Sequence, residues 1–190
     1  MKAIYQTQYG KSEVLQYGDQ DIPRLKSREV RIQNYASSVN PRDWMIRSGR
    51  YQLQFLVPSF PLILGSDFAG EIVEIGDKVR GFKLGDKVFG MKNPSEGLAT
   101  YANEVLAPAR NIAIMPKEIS YNEAAGMPLC SLTAWQALVK KAGLKSGMSV
   151  LIIGASGGVG SYAVQISRAL GCEVSAVCSQ KNAAMVADLG

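Results

Sequence analysis

Histidine is absent from the 190 residues of the chain. This absence excludes imidazole general-base catalysis, Ser-His catalytic triads and every zinc site that uses a histidine ligand. Cysteine is scarce, since only Cys130, Cys172 and Cys178 are present and none of them forms a C-x-x-C pair. An odd number of cysteines without that spacing favours reduced thiols and a cytoplasmic location.

The sequence also lacks long apolar runs, a secretory leader and dense charge clusters. The N-terminus, MKAIYQTQYG, has no apolar core of a signal peptide, and no run reaches membrane-spanning length. The formal net charge is +5, but the densest basic cluster is the pair Lys140 and Lys141. We therefore predict a packed globular protein with a mildly basic surface and with neither a membrane nor a nucleic acid as partner.

The first 119 residues are predicted to form a compact antiparallel β-barrel-like domain. Glu71 and Glu74 interrupt an apolar segment, which indicates a strand with one solvated face. Two Gly-Asp pairs precede Lys-Val segments, a pattern typical of tight turns. The strand candidates are 2–9, 14–17, 29–35, 68–76, 86–91, 100–107 and 111–116.

Residues 120–190 have a different pattern. Ser120 and Glu123 form a capping box that begins a helix, and Pro128 kinks or splits that helix. The continuous apolar run at 149–153 predicts a parallel strand covered on both faces. A helix from Gly158, a strand at 173–177 and a helix capped by Ser179 complete a β-α-β-α order.

Three glycines, Gly154, Gly157 and Gly160, lie between the buried strand and the following helix. A missing side chain at Gly157 lets backbone amides approach a pyrophosphate, and Gly160 lets the helix pack closely on the strand. The spacing alone also fits a structural turn, but its strand–loop–helix–strand context favours dinucleotide binding. The predicted phosphate-binding residues are Ala155, Ser156, Gly157, Gly158 and Val159.

The cofactor is predicted to be NADPH. NAD sites carry a carboxylate at the end of the second strand, about 20 residues after the glycines. Here that position is Cys178 or Ser179, and Lys181 follows. The Ser179 hydroxyl and the Lys181 ammonium can hold a 2′-phosphate. The alternative is that Ser179 only caps the helix and Lys181 is solvated.

Five segments, in order along the chain, carry a resemblance to a known family. The chain resembles the medium-chain dehydrogenase/reductase superfamily, and most of all its zinc-independent quinone oxidoreductase branch. This resemblance implies a GroES-like β-barrel domain at 1–119, followed by the N-terminal portion of a Rossmann dinucleotide-binding domain at 120–190. The matching segments are 37–51, 61–79, 85–90, 124–138 and 151–171.

The resemblance also implies the absence of a metal centre. Where zinc-bearing members carry a cysteine ligand this chain has Asn40, and where they carry His-Glu it has Ser66 and Asp67. Zinc stabilises the charge that hydride transfer places on a simple ketone. A quinone or an α,β-unsaturated carbonyl instead spreads that charge and needs only hydrogen-bond donors. We therefore expect no metal, and a quinone or enone as the small-molecule substrate.

The same resemblance places Asn40, Asp43 and Tyr51 at the catalytic cleft and Asn40 and Thr133 beside the nicotinamide. Asn40 is expected to donate a hydrogen bond to a carbonyl oxygen, and Tyr51 to donate one or to shape the wall of the cleft. Asp43 is expected to orient its neighbours or a water molecule. Structural alternatives exist for three of these residues. Asn40 with Pro41 is also an ordinary helix-opening turn, Tyr51 an ordinary surface aromatic, and the Thr133 hydroxyl a donor to a backbone carbonyl.

The family also implies a longer nucleotide-binding domain and a homodimer formed through an edge strand that these residues do not include. We therefore expect an incomplete domain, which a protein fragment, a truncated gene or a second chain completing the fold would each explain. Two alternative functions remain at this point. One is another metal-free alkene or enoyl reductase, and the other is a non-catalytic NADPH-binding or interaction module.

Overall fold

The computed structural model describes residues 1–21, 23–93, 96 and 100–190. These residues form two compact units, Met1–Pro128 and Leu129–Gly190. The division into domains at residues 119 and 120 stays a prediction. In the described residues no helix has both the length and the apolar character needed to cross a membrane.

The first unit contains two antiparallel sheets, as its sequence predicts. One sheet has the strand order β2-β1-β4 and the other has the order β7-β3-β5-β6-β8. The strands are β1 (Lys2–Gln6), β2 (Gln16–Asp19), β3 (Glu29–Ser37), β4 (Leu62–Ile63), β5 (Asp67–Ile75), β6 (Lys87–Met91), β7 (Glu104–Pro108) and β8 (Ile112–Ile114).

The five-stranded sheet buries one face, and its other face is partly covered by buried alanines and partly exposed. Val30, Ile32, Phe68 and Ile72 are fully buried in one apolar cluster, since alternate residues of β3 and β5 point to the same side. On the wet side, ion pairs join Arg31 to carboxylates of the two flanking strands, Glu74 at 2.7 Å and Glu104 at 3.2 Å. The predicted solvated face is therefore present in the second half of β5, around Glu74, whereas residues 67–70 are all buried.

Two short α-helices belong wholly to the first unit, α1 (Pro41–Arg47) and α2 (Tyr121–Ala125). The predicted capping box begins α2, because the Glu123 amide donates to the Ser120 hydroxyl and the Glu123 carboxylate accepts from the Ser120 amide. Buried alanines of α2 pack with Ala69 and Met115. The chain leaves the helix before Pro128, which begins α3 (Pro128–Trp135), so the predicted split is confirmed.

The second unit has the predicted alternation of strands and helices. A π-helical segment, Gln136–Lys141, continues α3 and is followed by β9 (Ser149–Ile153), α4 (Gly158–Ala169), β10 (Glu173–Val177) and α5 (Ala183–Asp188). The two strands pair in parallel, with Ser149 opposite Glu173. The buried residues of α4 pack with Ile152 and Val186 in one cluster.

The prediction that β9 is covered on both faces is wrong for the chain described here. Ile152 is buried, whereas Leu151 and Ile153 are 62% and 78% exposed. Because successive side chains of a strand alternate between faces, these two residues share the side opposite Ile152. The parallel pair β9–β10 therefore presents an open apolar face.

Candidate functional site

Two groups of predicted site residues occur in the structure, one in each unit. The first group surrounds the start of α1, where Pro41 occupies the first helical position. Asn40 caps the helix, and its backbone amide donates to Asp43 Oδ2 at 2.7 Å. This reciprocal cap is the local reason for the helix, and it buries both side chains.

The Asn40 side chain is fixed by groups outside its own helix. Its amide nitrogen donates to Asp67 Oδ2 at 2.8 Å and to Ser38 Oγ at 2.9 Å. Asp67 begins β5 and also accepts a hydrogen bond from the Ser38 hydroxyl. The Thr100 hydroxyl donates to the Asp67 carbonyl at 2.8 Å. The buried Asp67 carboxylate thus accepts hydrogen bonds from Ser38 and Asn40, which compensate for its loss of water.

The Asp43 carboxylate has a second set of donors. The Tyr101 hydroxyl donates to Asp43 Oδ2 at 3.0 Å, and the Ser66 hydroxyl lies 3.4 Å from Asp43 Oδ1. Burial raises the pKa of Asp43, while the hydrogen bonds from the Asn40 amide and Tyr101 act in the opposite direction. Burial and the adjacent Asp43 carboxylate raise the pKa of Tyr101 well above its ordinary value. Tyr101 therefore stays protonated and serves as a donor.

Tyr101 and Ser66 were not among the predicted site residues. Tyr101 lies 58 positions from Asp43 along the chain, so no local pattern connects them. Ser66 also accepts a hydrogen bond from Arg42 Nη2, which brings a guanidinium to the edge of the network. For Ser66, the only signal in the sequence was its position next to Asp67.

The structure places Tyr51 differently from Asn40 and Asp43. Its half-buried side chain packs against the apolar cluster of Ile46, Leu62 and Leu64. Tyr51 therefore belongs to the apolar side of α1, whereas Asn40 and Asp43 belong to its polar start. The catalytic assignment of these three residues stays a prediction.

The second group is the glycine loop between β9 and α4. The amides of Gly154 and Ala155 donate to the Val177 carbonyl at 2.9 and 3.0 Å, which ties the loop to β10. Gly154 has a φ of +78°, a conformation that favours glycine. The Gly157 amide donates to the Gly154 carbonyl at 2.9 Å, so the loop closes in a tight turn.

Gly160 has the packing role that the sequence predicts. A Cβ at this position would overlap the Gly154 carbonyl oxygen and lie 2.8 Å from Ala155 Cα. Gly157, in contrast, is exposed and caps α4, where a Cβ would meet only the Gly154 oxygen at 3.3 Å. The first amide groups of a helix have no acceptor within it and bear partial positive charge. The start of α4 thus suits the pyrophosphate of a dinucleotide.

The remaining residues of the loop differ in exposure. Ala155 is fully buried and Ser156 is half-buried, whereas Val159 is exposed on the first turn of α4. Gly158 opens the helix, and a Cβ on it would lie 2.9 Å from Cys130 Sγ. The backbone of this turn is therefore closely packed on one side and open on the other.

The residues expected to select the cofactor lie beyond β10. Ser179 occupies the N-cap position of the 3-10 turn Gln180–Asn182 but makes no side-chain cap hydrogen bond, and Lys181 is exposed. Asn182, which was not predicted, donates to the Ser156 hydroxyl at 3.0 Å and joins this turn to the glycine loop. Thr133 donates to the Leu129 carbonyl at 2.6 Å, as its structural alternative requires.

The chain was compared with known proteins. Residues 26–117 match the family model of the alcohol dehydrogenase GroES-like domain. A chloroplast envelope quinone oxidoreductase homolog of Arabidopsis thaliana is 38% identical over 198 residues, which cover the whole chain and 59% of the relative.

Two solved structures agree with these matches. The quinone oxidoreductase of Coxiella burnetii has 34% identity to this chain and a TM-score of 0.91. The match covers all of this chain and 60% of the Coxiella burnetii chain. The Escherichia coli quinone oxidoreductase, solved in complex with NADPH, has 31% identity and a TM-score of 0.86, and the chain spans 57% of it.

These matches confirm the resemblance to the quinone oxidoreductases of the medium-chain dehydrogenase/reductase superfamily. They also confirm the fold class, an antiparallel GroES-like domain followed by a β-α-β-α portion of a Rossmann-like fold. The chain spans about three fifths of the length of these relatives. The cytoplasmic location stays a prediction.

Proposed function

We propose that the chain is part of an NADPH-dependent, zinc-free oxidoreductase that transfers hydride to a quinone or an α,β-unsaturated carbonyl compound. The observation that carries this proposal is the glycine loop, where Gly160 permits close packing and Gly157 leaves the start of α4 open. NADPH, when bound, supplies the hydride. The names of the relatives support the reaction class.

The donor set of the first unit supports chemistry without zinc. Its residues include neither histidine nor cysteine, the side chains that zinc prefers. The polar atoms of Asn40 and Asp67 hydrogen-bond to each other and to Ser38. An amide and a single carboxylate are a weak ligand set for a catalytic zinc ion. Reduction then needs an acceptor that delocalises the incoming electron pair, as quinones and enones do.

The hydrogen bonds support distinct roles for the three candidate residues. Both donor contacts of the Asn40 amide are made within the protein, and Asp43 accepts from Asn40 and Tyr101. We assign Asn40 and Asp43 to positioning the start of α1. Tyr51 is the candidate hydrogen-bond donor to the acceptor carbonyl.

The decisive experiment is stopped-flow oxidation of NADPH with a panel of quinones and enones, performed on the protein at its full natural length. We expect turnover with at least one conjugated acceptor and none with simple ketones. Tyr51→Phe should lower kcat while leaving NADPH affinity unchanged. Absence of turnover with every conjugated acceptor, together with retained NADPH binding, would favour a non-catalytic binding module instead.

Cofactor choice is tested at Lys181. The ammonium of Lys181 and the Ser179 hydroxyl are proposed to hold the 2′-phosphate of NADPH, so Lys181→Ala should weaken NADPH about tenfold and NADH little. Lys145→Ala, which removes an exposed lysine elsewhere in the second unit, is the matched control. Equal weakening of both nucleotides would contradict the assignment.

Homodimer formation stays a prediction.

A further inference from the structure

The excess positive charge of the chain lies along one side of the first unit. Three adjoining hollows of about 210, 100 and 360 Å³ share lining residues there. We call them together the basic groove. Its exposed basic residues are Arg24, Lys26, Arg28, Lys78, Arg80 and Arg110, and Lys92 lines the smallest hollow.

The groove accounts for the whole net charge of the protein. Its seven cationic side chains are accompanied by only two carboxylates, Glu29 and Glu96. Setting these nine groups aside leaves 14 of the 21 basic and 14 of the 16 acidic residues, which balance. The charge of +5 is therefore concentrated in one place, although the basic residues are scattered along the sequence.

The two carboxylates of the groove are occupied by other groups. Glu29 accepts from the Lys26 amide at 3.2 Å, and its second oxygen lies 3.9 Å from Lys26 Nζ. Glu96 accepts from the Asn93 amide at 2.9 Å and lies 3.5 Å from Arg110 Nη2. Among the residues that the structure describes, the other cations of the groove form no ion pair with a carboxylate, although Glu29 and Glu96 line the same hollow as Lys92.

Lys92 has the strongest need for a partner. The residue is only 3% exposed, and its ammonium forms neither a hydrogen bond nor an ion pair with the residues that the structure describes. Lys92 lines the smallest hollow of the groove, beside Arg24 and Lys26. Burial of a charge without a partner is costly, which makes this position a favourable one for an anion.

We propose that the basic groove binds a small molecule with two or more phosphate groups, one of them seated on Lys92. The hollow at Lys92 is too small for a whole ligand but accommodates one charged group, whereas the adjacent 360 Å³ hollow lies in the range of small-molecule sites. Arg28 and Arg110 line that larger hollow, and guanidinium groups bind phosphate through paired hydrogen bonds.

Calorimetric titration with inorganic tripolyphosphate at low ionic strength tests the proposal. We expect saturable binding at one site, weakened about tenfold or more by Lys92→Met and by Arg28→Gln, because each removes a charge-assisted hydrogen bond. Arg28 is exposed, so its substitution tests the site even if Lys92→Met disturbs folding. Lys83→Met, an exposed lysine of the same unit outside the groove, should leave the affinity unchanged.

One further variant and one further ligand separate the groove from other phosphate sites. Lys181→Met removes the cation beyond the glycine loop and should not alter tripolyphosphate binding. The proposal is wrong if binding is absent, if Lys92→Met and Arg28→Gln both bind normally, or if only Lys181→Met weakens binding. A short oligonucleotide that binds more than about tenfold tighter than tripolyphosphate would contradict a small ligand.

Discussion

The Tyr101 hydroxyl connects two parts of the first unit that no sequence pattern connects. It lies 58 residues after Asp43 and donates to the buried carboxylate at 3.0 Å. The bond joins α1 to the segment before β7, so it stabilises the shape of the polar network and not only one residue. Because Tyr101 is partly buried in two apolar clusters, its ring and its hydroxyl contribute separately.

Tyr101→Phe separates these contributions. The ring packing is kept, but a buried carboxylate loses a donor, so we expect the free energy of unfolding to fall by about 1–3 kcal/mol. Tyr17→Phe is the matched control, because Tyr17 is 74% exposed and its loss should change stability by less than about 0.5 kcal/mol. Urea unfolding measures both, and equal effects would show that the bond to Asp43 contributes nothing.

Lys92 makes the free energy of unfolding rise as the pH is raised. Burial lowers the pKa of Lys92 from 10.5 to about 8, opposed by Glu29 and Glu96 and assisted by Lys26. Between these two values the unfolded chain keeps the proton and the folded protein has lost it. The unfolded state then binds more protons, so this residue makes stability rise with pH.

Lys92→Met isolates this contribution. At pH 7 the variant should be more stable than the wild type, by at most about 3 kcal/mol, because it removes a buried charge. The difference should shrink as the pH is raised from about 8 towards 10.5. Denaturant unfolding at several pH values measures it. If the wild type is more stable than the variant at pH 7 without added phosphate, the claim that the Lys92 ammonium lacks a partner is wrong.

At the scale of single elements, Gly157 caps α4 and Gly160 lies in its first turn, and we expect the two to differ in their tolerance of a side chain. Gly160→Ala would place a methyl group on backbone atoms of Gly154 and Ala155, and backbone cannot move aside as a side chain does. We expect a loss of about 2 kcal/mol or more in the stability of the second unit.

Gly157→Ala is the control for this substitution. Its φ of −80° is open to alanine, and the added Cβ meets only one oxygen at 3.3 Å, so we expect a change of about 1 kcal/mol or less. Circular dichroism during urea unfolding compares the two variants. If Gly160→Ala is tolerated as well as Gly157→Ala, close helix–strand packing does not explain the glycine at 160.

Most elements follow from local sequence rules. The capping box at Ser120 and the break before Pro128 act within a few positions and are confirmed, and Asn40 caps α1 as its structural alternative requires. The burial of β5 alternates less than its sequence predicts, because residues 67–70 are all buried. The two-residue strand β4 was missed because it is too short for a periodic signal. The partners of Asp43 and the gathering of cations around Lys92 arise from contacts between distant segments, which no local pattern contains.

For the whole molecule, the exposed face of β9 is the feature most open to association. Leu151 and Ile153 lie side by side on it, and exposed apolar patches favour contact with other surfaces. The double variant Leu151→Thr, Ile153→Thr should bind less of a hydrophobic dye and self-associate less in sedimentation velocity experiments. Val73→Thr, a single half-exposed position of β5, should change neither. Unchanged sedimentation and dye binding in the double variant would show that this face does not mediate self-association.

The division into two compact units has a spectroscopic consequence. The chain has only two tryptophans, and Trp44 belongs to the first unit whereas Trp135 belongs to the second. Each unit thus carries one intrinsic fluorophore, so replacing either indole with phenylalanine leaves an emission signal that reports the melting of a single unit. Different midpoints for the two single-tryptophan proteins would reveal sequential melting, and coincident midpoints a single cooperative transition.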